Sequence, residues 1–426
     1  MSKQSLVSDV HGASRLALDL TVLLTDVVET MHHNIVRRQH PLGNGTLAPT
    51  TGLTGLVYRT VRGVTRLVGR GIDGLLGPLT ARLAGAPRGP GRDAAVAALN
   101  GVLGDHLEAT GNPLCIRTQL RVDGEPLTLR CDAMAARLPQ ARQRVIVMVH
   151  GLCLSDASWH RGAHDHAKCL ARDFDATVVY LRYNSGRHIS TNGAEFAVLL
   201  QRLADTWPVP LRELALVGHS MGGLVIRSAC ASAEPSAYGW IRALRAIAFL
   251  GTPHHGAPLE RAGHGLHVLL TASPYTVAFA RLSGLRSAGI TDLRYGSVHD
   301  DDWRGRDRFA PQGRSHALRP LPAQVPAFTL AGSLSKRASK RGTAYGDGLV
   351  PVASALGRHA DPALTLPFPT GRTAIAYGTG HLDLLSSEAV YRQLRRWLLV
   401  AWRSDHATHA TPCATAPRAP FSRAEA

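Results

Sequence analysis

Short apolar runs recur along the chain: Arg144–Val149, Ala176–Leu181, Glu213–Val217, Leu244–Leu250, Ala327–Leu330 and Thr373–Ala376. Runs of this length without polar alternation predict strands covered on both faces, as in a parallel sheet. Between them, apolar residues at helical spacing predict helices over Trp159–Arg172, Glu195–Trp207, Met221–Ser232 and Ser387–Trp402. Asn192 with Glu195 three residues on reads as a capping box for the second of these. Ahead of them, Cys115–Val122 and Leu127–Ala133 alternate as a hairpin around Asp123-Gly124. This order of strands and helices predicts an α/β fold, a doubly wound and mostly parallel sheet.

The flanking segments follow other patterns. Residues 1–110 read as a helical region of their own. Arg15–Arg38 and Leu53–Leu83 both carry apolar residues at helical spacing, and in the latter Arg59, Arg62, Arg66 and Arg70 share one face. A Gly/Pro linker at Gly85–Arg92 and a short helix at Ala94–Leu107 close that region. The α/β domain then spans 111–403. Pro258–Val325 interrupts it and is too long for a plain connection, so it reads as an inserted cap. Residues 404–426 form a polar, Ala/Pro-rich tail expected to be disordered.

Composition changes this picture little. The six cysteines form no C-x-x-C pair and no dense framework, which argues against disulfides and for a reducing, cytoplasmic setting. The first residues lack a secretory pattern, and no apolar run is long enough to predict a membrane span. A net charge of +17 invites a nucleic-acid reading. Arginine supplies nearly all of it, Lys3, Lys168, Lys336 and Lys340 being the lysines, and no DNA- or RNA-binding motif accompanies it. Nucleic acid is therefore set aside, while attraction to anionic lipid or to an acidic substrate stays open.

The chemistry centres on Gly218-His219-Ser220-Met221-Gly222, where the run Leu214–Val217 meets the predicted helix from Met221. A serine at such a strand-to-helix turn is held exposed and strained, with glycines where strand and helix crowd. Serine needs a base, and the base needs an acid to hold its tautomer. In sheets of this type the acid follows the nucleophile in sequence and the base comes last. Asp347, between Gly346 and Gly348 a loop after the strand at 327–330, is the candidate acid; Asp361 and Glu260 are less well placed. His381, after the last strand and before the last helix, is the candidate base. Two backbone N–H groups would hold the oxyanion: Met221, next to the nucleophile, and Leu152 in His150-Gly151-Leu152 after the strand at 144–149.

Together His150-Gly151, Gly218–Gly223, Gly251-Thr252-Pro253-His254-His255-Gly256, Gly346–Pro351 and His381-Leu382-Asp383 resemble bacterial lipases and GPI-inositol-deacylase-like esterases of the α/β-hydrolase superfamily. The resemblance covers about residues 114–402. It implies Ser220 as nucleophile, Asp347 as acid and His381 as base, in agreement with the reading of the residues. Asp383 matches a position that helps bind calcium in some lipases; Asp300-Asp301-Asp302 is the candidate source of further carboxylates, a solvated loop being the plainer reading.

Other clusters carry less. His160, His164, His166 and Cys169 lack the frame of a zinc site, and no metal or cofactor is expected. Lys336-Arg337 and Lys340-Arg341 suit either a solvated loop or an anionic head group. Leu266, Leu269, Leu270 and Phe279 of the cap suit an acyl chain. The expected function is a cytoplasmic serine hydrolase of carboxylic, lipid-like acyl esters, with the helix at 53–83 offering peripheral contact to anionic membrane. Two rivals stay open: an acyltransferase using the same triad, and a membrane- or granule-surface binding protein with incidental activity.

Overall fold

The structure is a computed structural model that describes residues 9–19, 21–22, 59–63, 65, 90–161, 164–233, 236–257, 287–305, 318–338 and 346–403. Its strands are β1 (Gln119–Val122), β2 (Glu125–Pro126), β3 (Arg144–Val149), β4 (Thr177–Arg182), β5 (Glu213–His219), β6 (Leu244–Leu250), β7 (Ala327–Ser333) and β8 (Thr373–Tyr377). The helices are α1 (Pro90–Ala109), α2 (Cys131–Arg137), α3 (His166–Phe174), α4 (Ile189–Thr206), α5 (Met221–Ala233), α6 (Ala288–Tyr295), α7 (Val352–Ala355) and α8 (Glu388–Arg403). One sheet runs in the order β2-β1-β4-β3-β5-β6-β7-β8. β1 is antiparallel to both neighbours, and every pairing from β4 to β8 is parallel.

The unbroken apolar runs are explained by two cores, one on each face. Val145, Val147 and Val149 of β3 face the core that holds α1, α4 and α5, while Ile146 and Met148 face the core of α3 and α8. Leu214, Leu216, Ile247 and Phe249 continue the first face; Ala215, Ala246 and Ala248 lie on the second. Small residues suit that second face because Trp397, Trp402 and Tyr391 of α8 bring the bulk from the other side. Each fully buried valine, leucine or isoleucine contributes about 1.5–3 kcal/mol relative to exposure.

Several local expectations need correction. The Asp123-Gly124 turn forms with positive φ at both residues, which suits a tight hairpin, but its second strand is only Glu125–Pro126. Cys131–Arg137 is a helix anchored by buried Met134, not a strand. Instead of one helix over Trp159–Arg172 there is a short 3-10 turn at Asp156–His160, then α3, capped by Asp165 through the Lys168 N–H at 3.0 Å.

The capping box of Asn192 and Glu195 does not form. α4 starts at Ile189, whose N–H donates to Asp292 Oδ2 at 2.9 Å, so a carboxylate distant in sequence caps it. Asn192 Nδ2 donates instead to the Asn184 carbonyl, and Glu195 accepts from Thr118 and Arg187.

Residues 90–109, read as the end of a separate N-terminal region, pack into the main core through Ala98, Leu99, Val102, Leu103 and Leu107. Residues 9–19 lie along α1: Arg15 donates to the Thr110 carbonyl at 2.7 Å, and Asp9 pairs with Arg92. Of the cap segment, the described part includes α6, whose N-cap Ser287 accepts the Ile290 N–H. The apolar cap residues Leu266, Leu269, Leu270 and Phe279, together with Glu260, Arg66, Arg70, Lys340, Arg341 and the tail 404–426, lie outside the described residues. No helix among the described residues is long and apolar enough to cross a membrane.

Candidate active site

Ser220 sits between the end of β5 and the start of α5 with φ of 54°, a left-handed conformation that costs a serine energy. Two hydrogen bonds fix it there: its N–H donates to the Leu250 carbonyl at 2.9 Å, and its carbonyl accepts the Gly223 N–H at 3.0 Å. The glycines beside it answer to crowding. A Cβ on Gly218 would lie 2.7 Å from the Gly223 Cα, and one on Gly222 would strike the Val149 carbonyl oxygen.

The candidate acid and base meet. His381 Nδ1 donates to Asp347 Oδ2 at 2.7 Å, and both side chains are buried. Asp347 Oδ1 accepts the N–H groups of Leu349 and Val350 at 3.0 and 2.8 Å, so each carboxylate oxygen has a fixed task. The His381 N–H donates to the Asp347 carbonyl at 3.0 Å, tying the two loops by their backbones as well. Because Nδ1 carries the proton toward Asp347, Nε2 presents a lone pair; it is buried and has no partner among the described residues. Asp361 is exposed and caps a short turn through the Ala363 N–H, far from any such arrangement.

Sequence reasoning missed what holds the base. His219 Nε2 donates to the His381 carbonyl at 2.9 Å, with the two rings 4.7 Å apart. Burial pushes the His219 imidazole well below its ordinary value, so it stays neutral and its Nε2–H serves as a permanent donor. Its position inside the Gly218–Gly222 motif was the available signal.

On the other side of Ser220 lies the loop after β3. Gly151 approaches so closely that a Cβ there would lie 3.0 Å from the Ser220 Cβ. The Leu152 N–H donates to none of the described residues, and Met221, first in α5, has one of the N–H groups that a helix start leaves unpaired. The loop that carries Leu152 thus lies against the turn that carries Ser220 and Met221. His150 is fully buried, its imidazole lowered to about 3 by desolvation, and its ring stacks on Tyr183 at 4.3 Å.

A mostly parallel sheet in this strand order, with a serine on a strained turn after β5 and an acid–base pair after β7 and β8, decides the fold. Residues 140–319 also match the model of the PGAP1-like alpha/beta domain family. The chain has the α/β-hydrolase fold.

Among solved structures, the chain is similar to the Bacillus licheniformis lipase BlEst2 in its mature form, with 18% identity over 67% of this chain and 98% of that one (TM-score 0.39). It is also similar to phospholipase PlaB from Legionella pneumophila, at 14% identity over 62% of this chain and 65% of that one (TM-score 0.36). Staphylococcus hyicus lipase aligns at 13% identity over 62% and 97% (TM-score 0.36). No curated protein sequence matches it.

The remaining candidates separate. His160 bonds Asp165, His166 bonds the Leu384 carbonyl, and His164 meets His166; no group of residues that could hold a metal ion occurs among the described residues. The three aspartates at 300–302 do not converge. Asp300 pairs with Arg304 and Asp301 with Arg319, while buried Asp302 accepts the N–H groups of Val298 and His299. The solvated-loop reading therefore holds for the first two only. Asp383 accepts the Gly380 N–H at 3.0 Å, which shapes the loop that carries His381. Lys336 and Arg337 are exposed.

Proposed function

We propose that this α/β-hydrolase cleaves carboxylic esters, with lipid-like acyl esters as substrates, through an acyl-enzyme on Ser220. The observation that carries the reading is the 2.7 Å bond from His381 Nδ1 to Asp347 Oδ2, which leaves Nε2, without a partner among the described residues, to act as a base; the His381 ring lies 4.7 Å from that of His219, the residue before Ser220. His381 Nε2 takes the hydroxyl proton as Ser220 Oγ attacks the ester carbonyl, and a tetrahedral oxyanion forms. The N–H groups of Leu152 and Met221 stabilise that charge. His381 then protonates the departing alkoxide, and water activated by the same nitrogen releases the acid and frees Ser220. Asp347 stabilises the imidazolium and holds its tautomer, while His219 keeps the His381 backbone in register. No cofactor enters these steps.

The lipid-like part of the proposal is supported by the apolar sequence of the cap, with Leu266, Leu269, Leu270 and Phe279 suited to an acyl chain. Peripheral contact with anionic membrane is supported by the helical residues 59–63, where Arg59 and Val61 are both exposed. The test is fluorophosphonate labelling beside hydrolysis of p-nitrophenyl esters of increasing chain length. The expected result is labelling lost in Ser220→Ala and a rate that rises with chain length. Labelling that persists in Ser220→Ala rejects the nucleophile; preference for acetate rejects the lipid-like substrate.

A further inference from the structure

Within the oxyanion loop, His150 Nδ1 and the Leu154 N–H both bond the Gly151 carbonyl, at 2.9 and 3.3 Å, while neither ties the loop to the rest of the molecule. The bonds that anchor it come from the turn after β4. Tyr183 Oη donates to the His150 carbonyl at 2.8 Å, immediately before Gly151. Ser185 Oγ accepts the Cys153 N–H at 3.1 Å, immediately after Leu152. Two side chains of one turn therefore grip the loop on either side of the Leu152 N–H. Cys153 needs that grip, since its φ of 59° is strained for a residue with a side chain and relaxes unless its surroundings hold it. Both gripping side chains are buried, Tyr183 and Ser185 each at 1% exposure, so solvent does not compete for their hydrogen bonds.

The turn is itself held from three directions. Asn184 Nδ2 donates to the Gly104 carbonyl of α1 at 2.9 Å, and Asn192 of α4 donates to the Asn184 carbonyl at 2.9 Å. The Gly289 N–H of α6 donates to the Gly186 carbonyl at 3.0 Å. α1 also lies directly on the oxyanion loop. A Cβ on Gly101 would strike the Cys153 sulfur and lie 2.9 Å from the Cys153 N. The Gly101 carbonyl accepts Ser287 Oγ at 2.7 Å, so the first residues of α6 close the same junction.

We propose that Tyr183 and Ser185 are positioning residues for the oxyanion hole, holding the Leu152 N–H at the place where charge develops on the substrate. The inference rests on Ser220 being the nucleophile. It differs from a packing role because the grip acts on one donor of the transition state rather than on substrate binding. A displacement of about 1 Å at such a donor costs on the order of 100-fold in rate.

Tyr183→Phe and Ser185→Ala each remove one grip, and each is expected to lower kcat on a p-nitrophenyl ester by about 10- to 100-fold with KM little changed. The deciding readout is the inhibition constant of an alkyl boronic acid, whose adduct on Ser220 places a negative oxygen in the oxyanion hole. Its affinity should weaken by the same factor as kcat/KM, while that of an alkyl alcohol of equal length should not change. Ser185→Thr keeps the hydroxyl acceptor and should recover most of the rate; if it fails to fold, Tyr183→Phe decides alone. Wild-type kcat and boronate affinity in both single variants, with only the melting temperature lowered, overturn the proposal. So does a fall in kcat with boronate affinity unchanged. Hydrolysis retained by Ser220→Ala in the same assay would instead reject the nucleophile, and with it the reading on which this inference stands.

Discussion

On the β7–β8 side of Ser220, the acid and base hold each other with bonds that stay almost entirely within their own loops. Asp347 takes the N–H groups of Leu349 and Val350, His381 takes Asp347 by side chain and backbone, and the Thr379 N–H ties back to Ser333. On the β3–β4 side, the oxyanion loop borrows its shape from Tyr183, Ser185 and the surface of α1, a helix that precedes the whole α/β alternation. The first arrangement joins two loops 34 residues apart by side chain and backbone at once, with His219 of β5 as its one outside support. The second depends on several elements packing at once. A change in residues 90–109 can therefore reach the oxyanion donor without touching the acid–base pair.

The largest expected effects lie on the acid–base side. Ser220→Ala or His381→Ala should leave the fold intact and reduce kcat by roughly 10⁴ to 10⁶, the two acting as one unit. Steady-state kinetics with circular dichroism of each variant checks this. Asp347→Asn should cost on the order of 10⁴ in kcat, because the amide favours the wrong His381 tautomer. Full activity in Asp347→Asn would break the local half of the comparison.

A smaller effect tests the borrowed half. Gly101→Ala places a methyl against Cys153. Overpacking of this kind should lower stability by about 1–3 kcal/mol, read by denaturant unfolding. It should also reduce kcat together with boronate affinity, while the fluorophosphonate still labels Ser220. A stability loss with unchanged kcat would mean that α1 supports the loop without placing it.

The pH dependence of stability sharpens the contrast in another way. Burial holds His150, His219 and His254 below the ordinary imidazole value of 6.5, His150 down to about 3. In that window the unfolded chain binds more protons than the folded one, so stability rises with pH. The contribution of His150 is complete above 6.5 and is lost as pH falls toward 3, at up to about 1.4 kcal/mol per pH unit, and His219 and His254 act in the same direction. Melting temperature should drop between pH 7 and 5. His254, whose two ring nitrogens have no partner among the described residues and whose ring packs on Phe249 and Phe368, is the residue to change. His254→Phe should flatten the profile; an unchanged slope would assign the loss to other groups.

The smallest effect concerns whether the rest of residues 1–110 packs as α1 does. Arg59→Gln, Arg62→Gln, Arg66→Gln and Arg70→Gln together should weaken co-sedimentation with anionic vesicles at low salt, with neutral vesicles unbound in every case. Absence of binding by the unaltered protein would extend the packing role of α1 to that region.

The strained turn at Ser220 and the pairing of Asp347 with His381 were legible in the sequence because each residue carries a local signal. Ser220 lies in a glycine pattern between an apolar run and a helix, and His381 falls between the last strand and the last helix. The central strands were legible for the same reason: Arg144–Val149 and Leu244–Leu250 are apolar throughout, and a sheet with a core on both faces requires just that. Tyr183 and Ser185 carried no such mark: no motif surrounds them after β4, and only the folded chain brings them to the loop after β3.

By itself, then, the sequence determined the order of the strands along the chain, the buried faces and the places of Ser220, Asp347 and His381 after β5, β7 and β8. Backbone propensity and hydrophobic period are short-range properties, and these features follow from them. Only the tertiary structure decided that α4 begins at Ile189 under the Asp292 carboxylate, that residues 90–109 belong to the main core and that a turn after β4 holds the oxyanion loop. The first and the last depend on a polar group being desolvated and paired with a partner from a remote element, and the second on apolar packing against a distant part of the chain. Such pairing is chosen by packing, and no pattern of neighbouring residues records it.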